Sequence, residues 1–143
     1  MNIAIVGATG NVGRKTLEVF DKKNFKFDNL YLVASEKSAG KKISFRDKEY
    51  VIENLETYDF SKADITFFAA GGTIAEKFAE KAAKHTIVID NSSFFRMDPD
   101  VPLIVPQVNA AEIKNMKKNI IANPNCSTAV SYTHLTLPTI PQV

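Results

Sequence analysis

The sequence MNIAIVGATGNVG (residues 1–13) contains the strongest structural signal in this chain. Residues 3–6 form an apolar run that predicts a buried β-strand. Gly7, Gly10 and Gly13 then follow at intervals of three residues. A helix is predicted from residue 12, because one face with helical spacing is formed by Val12, Thr16, Leu17, Val19 and Phe20.

This glycine turn predicts a binding site for the pyrophosphate of a dinucleotide. Glycine lets the backbone approach a phosphate closely, and the amino end of the following helix offers free N–H groups and a partial positive charge. The spacing is GxxGxxG, not the commoner GxGxxG, so the motif by itself also fits a tight turn that binds nothing. The alternation of strands and helices in the following segments favours the dinucleotide interpretation.

The size and composition indicate one ordinary globular domain. The chain has 143 residues, of which 45% are hydrophobic and 24% charged, and its formal net charge is +2. The lysines are scattered, so neither nucleic acid nor a membrane is expected as a partner. Cys126 is the single cysteine and lacks a zinc-ligand pattern, so neither an internal disulfide nor a metal is expected. The first residues lead directly into a core strand, which favours a cytoplasmic location.

The expected fold class is α/β, with a Rossmann-like, doubly wound, mostly parallel sheet. A β-hairpin formed by residues 41–45 and 48–53 replaces the second crossover helix. Residues 54–62 are polar and are expected to be irregular or to form a short turn. The other predicted strands are 3–6, 30–34, 64–70, 86–90, 101–105 and 118–122, and further helices are predicted at 74–84 and 109–117. Prolines at 102 and 106 interrupt the strand at 101–105, so an edge or extended position is expected for it.

The loop after the second strand indicates which dinucleotide is bound. An NAD-binding unit places Asp or Glu at the end of this strand, where the carboxylate binds the 2′-hydroxyl of the ribose. Glu36 comes slightly late for this role, whereas Ser35, Lys37 and Ser38 offer hydroxyls and a positive charge that suit a 2′-phosphate. The loop therefore favours NADP, and the alternative is a plain solvated loop.

A second glycine turn follows the predicted strand at 64–70. Gly71 and Gly72 come directly after this strand, and Thr73 with Glu76 predicts a capping box at the start of the next helix. Ligands of doubly wound sheets bind at the carboxyl ends of the strands. Gly71, Gly72 and Thr73 are therefore expected to contact the cofactor in the same crevice as the first glycine turn.

The loop after the strand at 86–90 predicts an anion contact. Asn91 and Arg96 lie in this polar loop, again at the carboxyl end of a strand. The planar guanidinium of arginine binds a carboxylate or phosphate through two parallel hydrogen bonds. Arg96 and Asn91 are therefore the candidate substrate-binding residues, and the alternative is that Arg96 forms a surface salt bridge.

Cys126 is the candidate nucleophile. It follows the last predicted strand and precedes a predicted helix start, and the amino end of a helix lowers the pKa of a thiol. The side-chain amide of Asn125 and nearby backbone N–H groups are candidates for holding a developing oxyanion. The alternative is that the cysteine is a small, buried apolar residue.

These motifs, in this order, resemble the amino-terminal part of the aspartate-β-semialdehyde dehydrogenase family, from residue 1 to about residue 130. The resemblance is carried by GATGNVG at 7–13, ASEKSAGKK at 34–42, DNSSFFR at 90–96, VPQVN at 105–109 and NPNCST at 123–128.

The resemblance implies an enzyme of lysine, threonine and methionine biosynthesis that reductively dephosphorylates aspartyl phosphate with NADPH. It implies that Cys126 is the nucleophile that forms the acyl-enzyme and that Arg96 contacts the substrate phosphate. Lys37 stands where the family often has an arginine beside the 2′-phosphate. A homodimer or homotetramer is implied for the full-length form. The residues implied to line the NADP phosphates are Thr9, Gly10, Asn11 and Val12.

Other interpretations stay open. N-acetyl-γ-glutamyl-phosphate reductases share the fold and the acyl-phosphate chemistry, but their cysteine motif typically reads PGCYPT where this chain has NPNCST. Glyceraldehyde-phosphate dehydrogenases have a different cysteine setting, SCTT. The alternative from another class is a non-catalytic nucleotide-binding module that uses Cys126 as a redox sensor.

The sequence leaves the family pattern after residue 130. Residues 131–143, SYTHLTLPTIPQV, contain no Lys, Arg, Asp or Glu, and their threonines and prolines oppose a helix. We therefore expect a nucleotide-binding domain at 1–130 and a tail at 131–143 that is disordered or is translated from vector or frameshifted DNA; the alternative is a divergent terminus. The resemblance implies that a second, catalytic and dimerisation domain is missing, so we expect this chain to be inactive and to expose apolar surface.

Overall fold

The computed structural model describes residues 1–136 of the chain. Its strands are β1 (Asn2–Val6), β2 (Asn29–Ala34), β3 (Lys42–Phe45), β4 (Lys48–Asn54), β5 (Ile65–Phe68), β6 (Ile87–Asp90) and β7 (Ile120–Ala122). Its α-helices are α1 (Asn11–Lys22), α2 (Gly72–Ala83), α3 (Pro106–Asn109) and α4 (Cys126–Thr136). Short 3₁₀ helices cover Glu36–Ser38, Phe60–Lys62 and Ala110–Asn115.

Within these described residues, the strands form one seven-stranded sheet in the order β3-β4-β2-β1-β5-β6-β7. Neighbouring strands are parallel except β3 and β4, which form the predicted hairpin. The doubly wound, mostly parallel α/β fold with an inserted hairpin is therefore confirmed. None of the helices in residues 1–136 has the length and apolar character needed to cross a bilayer.

β1 lies at the centre of the sheet because it is apolar on both faces. Successive side chains of a strand point to opposite faces. Ile3 and Ile5 pack in the cluster that includes Phe20 of α1, whereas Ala4 and Val6 pack in the cluster to which α2 contributes. These four apolar side chains of β1 are fully buried, as expected for a parallel strand covered on both sides.

The helices α1 and α2 cover opposite faces because the chain leaves the centre of the sheet in two directions. Crossovers between parallel strands are right-handed, so the step from β1 to β2 and the step from β5 to β6 place their helices on different faces. α1 buries Gly13, Leu17 and Phe20. Val12 and Val19, which the helical spacing placed on the same face, are instead 44% and 46% exposed.

An apolar groove is open on the α1 side of the sheet, between α1 and strands β5 and β6. It has a volume of ≈ 340 Å³, and its lining residues include Val12, Val19, Phe67 and Ile89. In the described part of the chain, α1 packs over β1 and β2, and α2 lies on the opposite face, so neither helix fills this groove. The structure thus contains exposed apolar surface, as the sequence predicts.

Arg46 connects the hairpin to the end of α1. Arg46 and Asp47 form the turn between β3 and β4, and both have positive φ angles, +47° and +61°, as a type I′ turn requires. The Arg46 guanidinium donates to the carbonyl oxygens of Phe20 and Phe25 and to the carboxylate of Asp21. These bonds tie the hairpin turn to the last turn of α1 and to the loop that follows it.

The segment at 54–62 contributes more to the core than its polar composition predicts. Leu55, Tyr58 and Phe60 are buried, and all three belong to the cluster on the α2 face. Their spacing of three and then two residues matches neither a helix nor a strand, so hydrophobic periodicity did not reveal them. Burial raises the pKa of the Tyr58 phenol, and its hydroxyl has no hydrogen-bond partner among the described residues.

The strand predicted at 101–105 is reduced to a single β-bridge. Leu103 pairs with Ala122 of β7, and the flanking backbone bonds join Ile104 and Pro102 to the same residue. Pro102 and Pro106 lack the N–H group that a continuous ladder needs, which explains the short pairing. The helix predicted at 109–117 is instead α3 followed by the 3₁₀ helix Ala110–Asn115.

α4 continues from Cys126 to Thr136. The prediction that the threonines after residue 130 oppose a helix is wrong for residues 131–136, which are helical. A helix can continue through residues of modest helix propensity. The rest of the predicted tail, 137–143, lies outside the described residues. The domain boundary at residue 130 stays a prediction.

Candidate active site

The carboxyl ends of β1, β5, β6 and β7 meet at one edge of the sheet because these strands are parallel. The segments that follow them are 7–13, 69–73, 91–96 and 123–126, which hold most of the predicted site residues. Neighbouring strands are about 4.8 Å apart, so the end of β7 lies about 14 Å from the end of β1. The glycine turn and the cysteine therefore share one edge of the sheet.

The first glycine turn is so tight that two of its positions accept only glycine. Gly7 has a φ of +86°, and a Cβ there would lie 2.8 Å from the backbone of Ala69. A Cβ on Gly13 would lie 2.3 Å from the carbonyl oxygen of Gly7. The first turn of α1 thus packs directly on the backbone of the glycine turn, as a phosphate-binding turn requires.

The amino end of α1 is open to an anion. Gly10 is the N-cap residue, and no side chain in the described part of the chain caps the helix. A Cβ on Gly10 would lie 3.4 Å from its nearest neighbour, so this side of the turn is the less crowded one. N–H groups without a side-chain cap, in the first turn of a helix, fit a pyrophosphate. The predicted contacts in this turn are Asn11, Val12 and Gly13.

A cleft of ≈ 370 Å³ lies beside this turn. Ser35, the N-cap residue of the 3₁₀ helix Glu36–Ser38, lines the cleft after β2. Lys37 is exposed and Ser38 half-buried in that 3₁₀ helix. The contact of these three residues with a 2′-phosphate stays a prediction. The predicted cofactor contacts that line the cleft are Gly7, Thr9, Gly10 and Ser35.

The second glycine turn differs from its prediction in one respect. Gly71, with a φ of +88°, is the N-cap residue of α2, and no side chain caps the helix. The capping box of Thr73 and Glu76 is therefore wrong, because the helix begins two residues earlier than that motif requires. Ala69, Ala70 and Ile74 line the cleft on this side. Cofactor contacts by Gly71, Gly72 and Thr73 stay predictions.

The loop after β6 is shaped by the buried carboxylate of Asp90. Asp90 accepts hydrogen bonds from the backbone N–H of Ser92 (3.0 Å) and from its hydroxyl (2.6 Å). The Ser92 hydroxyl in turn accepts from the N–H of Phe94 (3.2 Å). Such local bonds fix a turn, so Asn91 and Arg96 project from a defined loop.

Arg96 is half-buried and bonded to two loops. Its Nε donates to the carbonyl oxygen of Asn123 (3.0 Å), and its Nη2 donates to the carbonyl oxygen of Asn91 (3.2 Å). A guanidinium has five N–H donors, so the edge formed by Nη1 and Nη2 keeps donors for an anion. Among residues 1–136, Arg96 does not form the surface salt bridge considered as its alternative role; its anchoring partners are backbone carbonyls.

Cys126 is the first residue of α4 and is exposed. The alternative interpretation of Cys126 as a small, buried apolar residue is therefore wrong. The Asn125 Oδ1 accepts from the N–H of Ser127 (2.9 Å) and lies 3.7 Å from the Cys126 sulfur. Asn125 thus caps α4 with its oxygen, which leaves its Nδ2 group to donate to a ligand. The thiol lies where the helix offers positive potential to a thiolate.

Asn123 joins the loop after β7 to the loop after β6, and no sequence pattern assigns it a role. Its Nδ2 donates to Asn91 Oδ1, and its carbonyl accepts from Arg96. The only sequence signal is its position directly after β7 and three residues before Cys126. Pairing between two loops that lie 32 residues apart in the sequence cannot be seen from local patterns.

A parallel doubly wound sheet with a tight glycine turn and an open helix end defines a dinucleotide-binding domain. Residues 2–116 match the family model described as semialdehyde dehydrogenase, NAD binding domain. The chain belongs to this family, as its sequence motifs predicted, and the cofactor class is a nicotinamide dinucleotide.

Individual relatives agree with the family. The aspartate-semialdehyde dehydrogenase of Aquifex aeolicus is 54% identical over 129 residues, which cover 88% of this chain and 38% of the relative. Aspartate semialdehyde dehydrogenase II of Vibrio cholerae, complexed with ASA, has a TM-score of 0.88 and 48% identity, covering 94% of this chain and 44% of that one. A Candida albicans aspartate semialdehyde dehydrogenase with NADP has a TM-score of 0.64 and 28% identity, covering 90% of this chain and 43% of that one.

This chain therefore spans about two fifths of the length of the relatives that it matches. All three relatives carry the name aspartate semialdehyde dehydrogenase, so the N-acetyl-γ-glutamyl-phosphate reductase and redox-sensor interpretations are not favoured.

Proposed function

We propose that this chain is the cofactor-binding and nucleophile-bearing part of an enzyme that reduces aspartyl phosphate to aspartate semialdehyde with NADPH. The observation that carries the proposal is the shared sheet edge: the glycine turn, Arg96 and Cys126 follow parallel strands β1, β6 and β7. This arrangement suits a reaction in which a dinucleotide, an anionic substrate and a thiol must meet.

The first step is acyl transfer to Cys126. Its thiolate attacks the acyl carbon of aspartyl phosphate, a C–S bond forms, the C–O bond to phosphate breaks, and phosphate leaves with the electron pair. Arg96 binds the phosphate through its free Nη1–Nη2 edge, and Asn91 lies beside it. The Nδ2 of Asn125 and the N–H groups at the start of α4 stabilise the oxyanion that forms on the acyl oxygen.

NADPH, when bound, supplies the hydride that converts the Cys126 thioester to the aldehyde. This chain's residues hold the dinucleotide at the glycine turn, where the phosphate contacts are Thr9, Gly10, Asn11 and Val12. Gly7 and Gly13 keep the backbone close, and Gly71, Gly72 and Thr73 border the second turn. Cys126 departs from the aldehyde as a thiolate and is ready for another cycle.

NADP is the proposed dinucleotide because Ser35, Lys37 and Ser38 follow β2, where a 2′-phosphate would lie. Lys37 supplies charge without the bidentate fork of arginine, so its selectivity for NADP over NAD is expected to be moderate. The Candida albicans relative was solved with NADP, which supports this choice. A cytoplasmic homodimer or homotetramer is proposed for the complete enzyme.

A chimera tests the proposal. Residues 1–128 of this chain are joined to the remaining part of the Aquifex aeolicus relative, and NADPH oxidation with aspartyl phosphate is measured. We expect turnover that falls by at least about a thousandfold in Cys126→Ser. The parent relative is the control. A folded chimera without turnover, or one whose Cys126→Ser variant is equally active, would contradict the proposal. For the 143-residue chain by itself we expect weak NADPH binding and no steady-state turnover.

A further inference from the structure

Asn123 is held at three of its four polar groups by β6 and the loop that follows it. Its backbone N–H donates to the carbonyl oxygen of Asp90 (2.8 Å), and its carbonyl oxygen accepts from Arg96 Nε (3.0 Å). Its side-chain Nδ2 donates to Asn91 Oδ1. The loop after β7 therefore has a fixed position relative to the loop that carries Arg96.

Arg96 closes this network. Its Nη2 donates to the carbonyl oxygen of Asn91 (3.2 Å), while its Nε binds Asn123. The guanidinium is thus oriented by one carbonyl from each loop, and Asn91 and Asn123 are also joined to each other by their side chains. The direction of the free guanidinium edge depends on the distance between these two asparagines.

The connection from Asn123 to the thiol is short. Only Pro124 and Asn125 separate Asn123 from Cys126, a reach of about 10 Å even when fully extended. Pro124 is buried and has a restricted φ, and Asn125 is fixed because it caps α4. A displacement of Asn123 is therefore passed on to the cysteine, because the intervening residues have little freedom to absorb it.

We propose that Asn123 is a positioning residue that sets the distance between the anion-binding edge of Arg96 and the sulfur of Cys126. The inference rests on the proposed function, because it assumes that Arg96 binds the phosphate of an acyl phosphate and that Cys126 attacks the acyl carbon. An acyl phosphate engages both groups at once, so its reaction requires their correct separation. A small neutral alkylating reagent engages the sulfur alone, so its reaction does not depend on the separation of the two groups.

The test uses the 143-residue chain and two reagents. Acetyl phosphate acylates Cys126 with release of inorganic phosphate, and iodoacetamide alkylates the same thiol with release of iodide. Intact-mass spectrometry follows both reactions over time. The Asn123→Ala variant keeps both backbone bonds of this residue and loses only the amide bond to Asn91.

We expect Asn123→Ala to slow acetylation by about tenfold, because a small misplacement of reacting groups is costly, and to leave the rate of alkylation within about twofold. Asn91→Ala removes the same amide bond from the other side, so it should have a similar effect. The double variant should be acetylated no more slowly than the single variants, because both substitutions remove the same hydrogen bond and their effects do not add. If Asn123→Ala does not fold, Asn123→Ser, which also loses the amide bond to Asn91, provides the measurement.

Asn29→Ala is the matched control. Asn29 Nδ2 donates to Asn2 Oδ1 (2.9 Å), which is the same kind of amide pair between neighbouring parallel strands, but at the amino ends of β1 and β2. It should leave both rates unchanged. Equal acetylation rates in the wild type and in folded Asn123→Ala and Asn91→Ala would overturn the positioning role while leaving the proposed function intact.

A failure of the proposed function gives a different result. If the wild-type thiol is acetylated no faster than the same thiol in the urea-unfolded chain, or if Arg96→Gln has no effect, the acyl-phosphate site itself is absent, and the positioning role falls with it. If the Asn variants slow acetylation and alkylation equally, the amide pair affects only general thiol reactivity, and the positioning role is also overturned.

Discussion

Gly13 is the residue whose replacement the structure tolerates least. Replacing glycine by alanine inside a helix normally raises the free energy of unfolding by about 1 kcal/mol. Here its Cβ would lie 2.3 Å from the Gly7 carbonyl oxygen, so α1 would have to move away from the glycine turn. We expect Gly13→Ala to lower the free energy of unfolding by about 2 kcal/mol, measured by urea denaturation.

Gly10→Ala is the control for this prediction. Its φ is −77°, which any residue adopts, and its Cβ would lie 3.4 Å from the same oxygen. We expect a change below about 1 kcal/mol, because the neighbouring backbone needs to shift by only a few tenths of an ångström. Equal losses in the two variants would show that the tight packing of Gly13 does not limit stability.

Tyr58 offers a stabilising substitution. Its ring is 4% exposed, and its hydroxyl has no hydrogen-bond partner among residues 1–136. An unpaired buried hydroxyl costs about 1 kcal/mol or more, so we expect Tyr58→Phe to raise the free energy of unfolding by about that amount at pH 7. Tyr31→Phe, in a partly buried ring that contacts Tyr58, is the control and should have a smaller effect.

The same substitution has a predictable pH dependence. Burial raises the pKa of Tyr58 in the folded protein, while in the unfolded chain the phenol ionises at about pH 10. Above that pH the unfolded state binds fewer protons than the folded state, so ionisation favours unfolding. The stability difference between Tyr58→Phe and the wild type should therefore widen above about pH 10 in denaturation curves. A constant difference would indicate that the hydroxyl reaches water.

At the scale of elements, the hairpin turn contains two residues whose substitutions should have opposite effects. Arg46 and Asp47 both have positive φ, which costs a non-glycine residue about 1 kcal/mol. Asp47 has no hydrogen bond to α1, so Asp47→Gly should raise the unfolding midpoint by relieving the backbone strain. Arg46→Gly relieves similar strain but removes hydrogen bonds to Phe20 and Asp21 of α1 and to Phe25 just after it, so it should lower the unfolding midpoint. A higher unfolding midpoint in both variants would mean that the hydrogen bonds of Arg46 contribute little to stability.

The elements also show what can be predicted from sequence. The glycine turn, α1, α2 and the hairpin follow from local spacing and turn residues, and their positions agree with the structure. Residues 101–105 make only one bridge, to the edge strand β7, which agrees with the edge or extended position that their prolines predict. The burial of residues within 54–62 could not be predicted, because these residues lack a regular spacing. The position of Arg96 in a polar loop after β6 could be predicted, but its anchoring to Asn123, and the bond of Asn123 to Asn91, are contacts between distant loops, which local patterns do not contain.

For the molecule as a whole, the apolar groove is expected to limit solubility. Val19 is 46% exposed and lines the groove beside Phe67 and Ile89. Contiguous exposed apolar surface promotes association. Val19→Lys should reduce the binding of the dye ANS and the light scattering of concentrated samples, with little effect on the free energy of unfolding.

Val51→Lys is the matched control for the groove. Val51 is 55% exposed but lies on β4, outside the groove. It should change dye binding and scattering less than Val19→Lys does. If both variants reduce them equally, overall charge rather than the groove determines association.

The order of strands also has a consequence for synthesis. Residues 2–54 supply β1 to β4, residues 65–122 supply β5 to β7, and the two halves of the sheet are joined by the pairing of β1 with β5. Because a ribosome releases the amino-terminal half first, that half has all its strand partners except β5 while the rest is still being translated. The unpaired side of β1 then receives β5, which in turn receives β6, and β6 receives β7, so each strand after β5 pairs with the strand synthesised just before it.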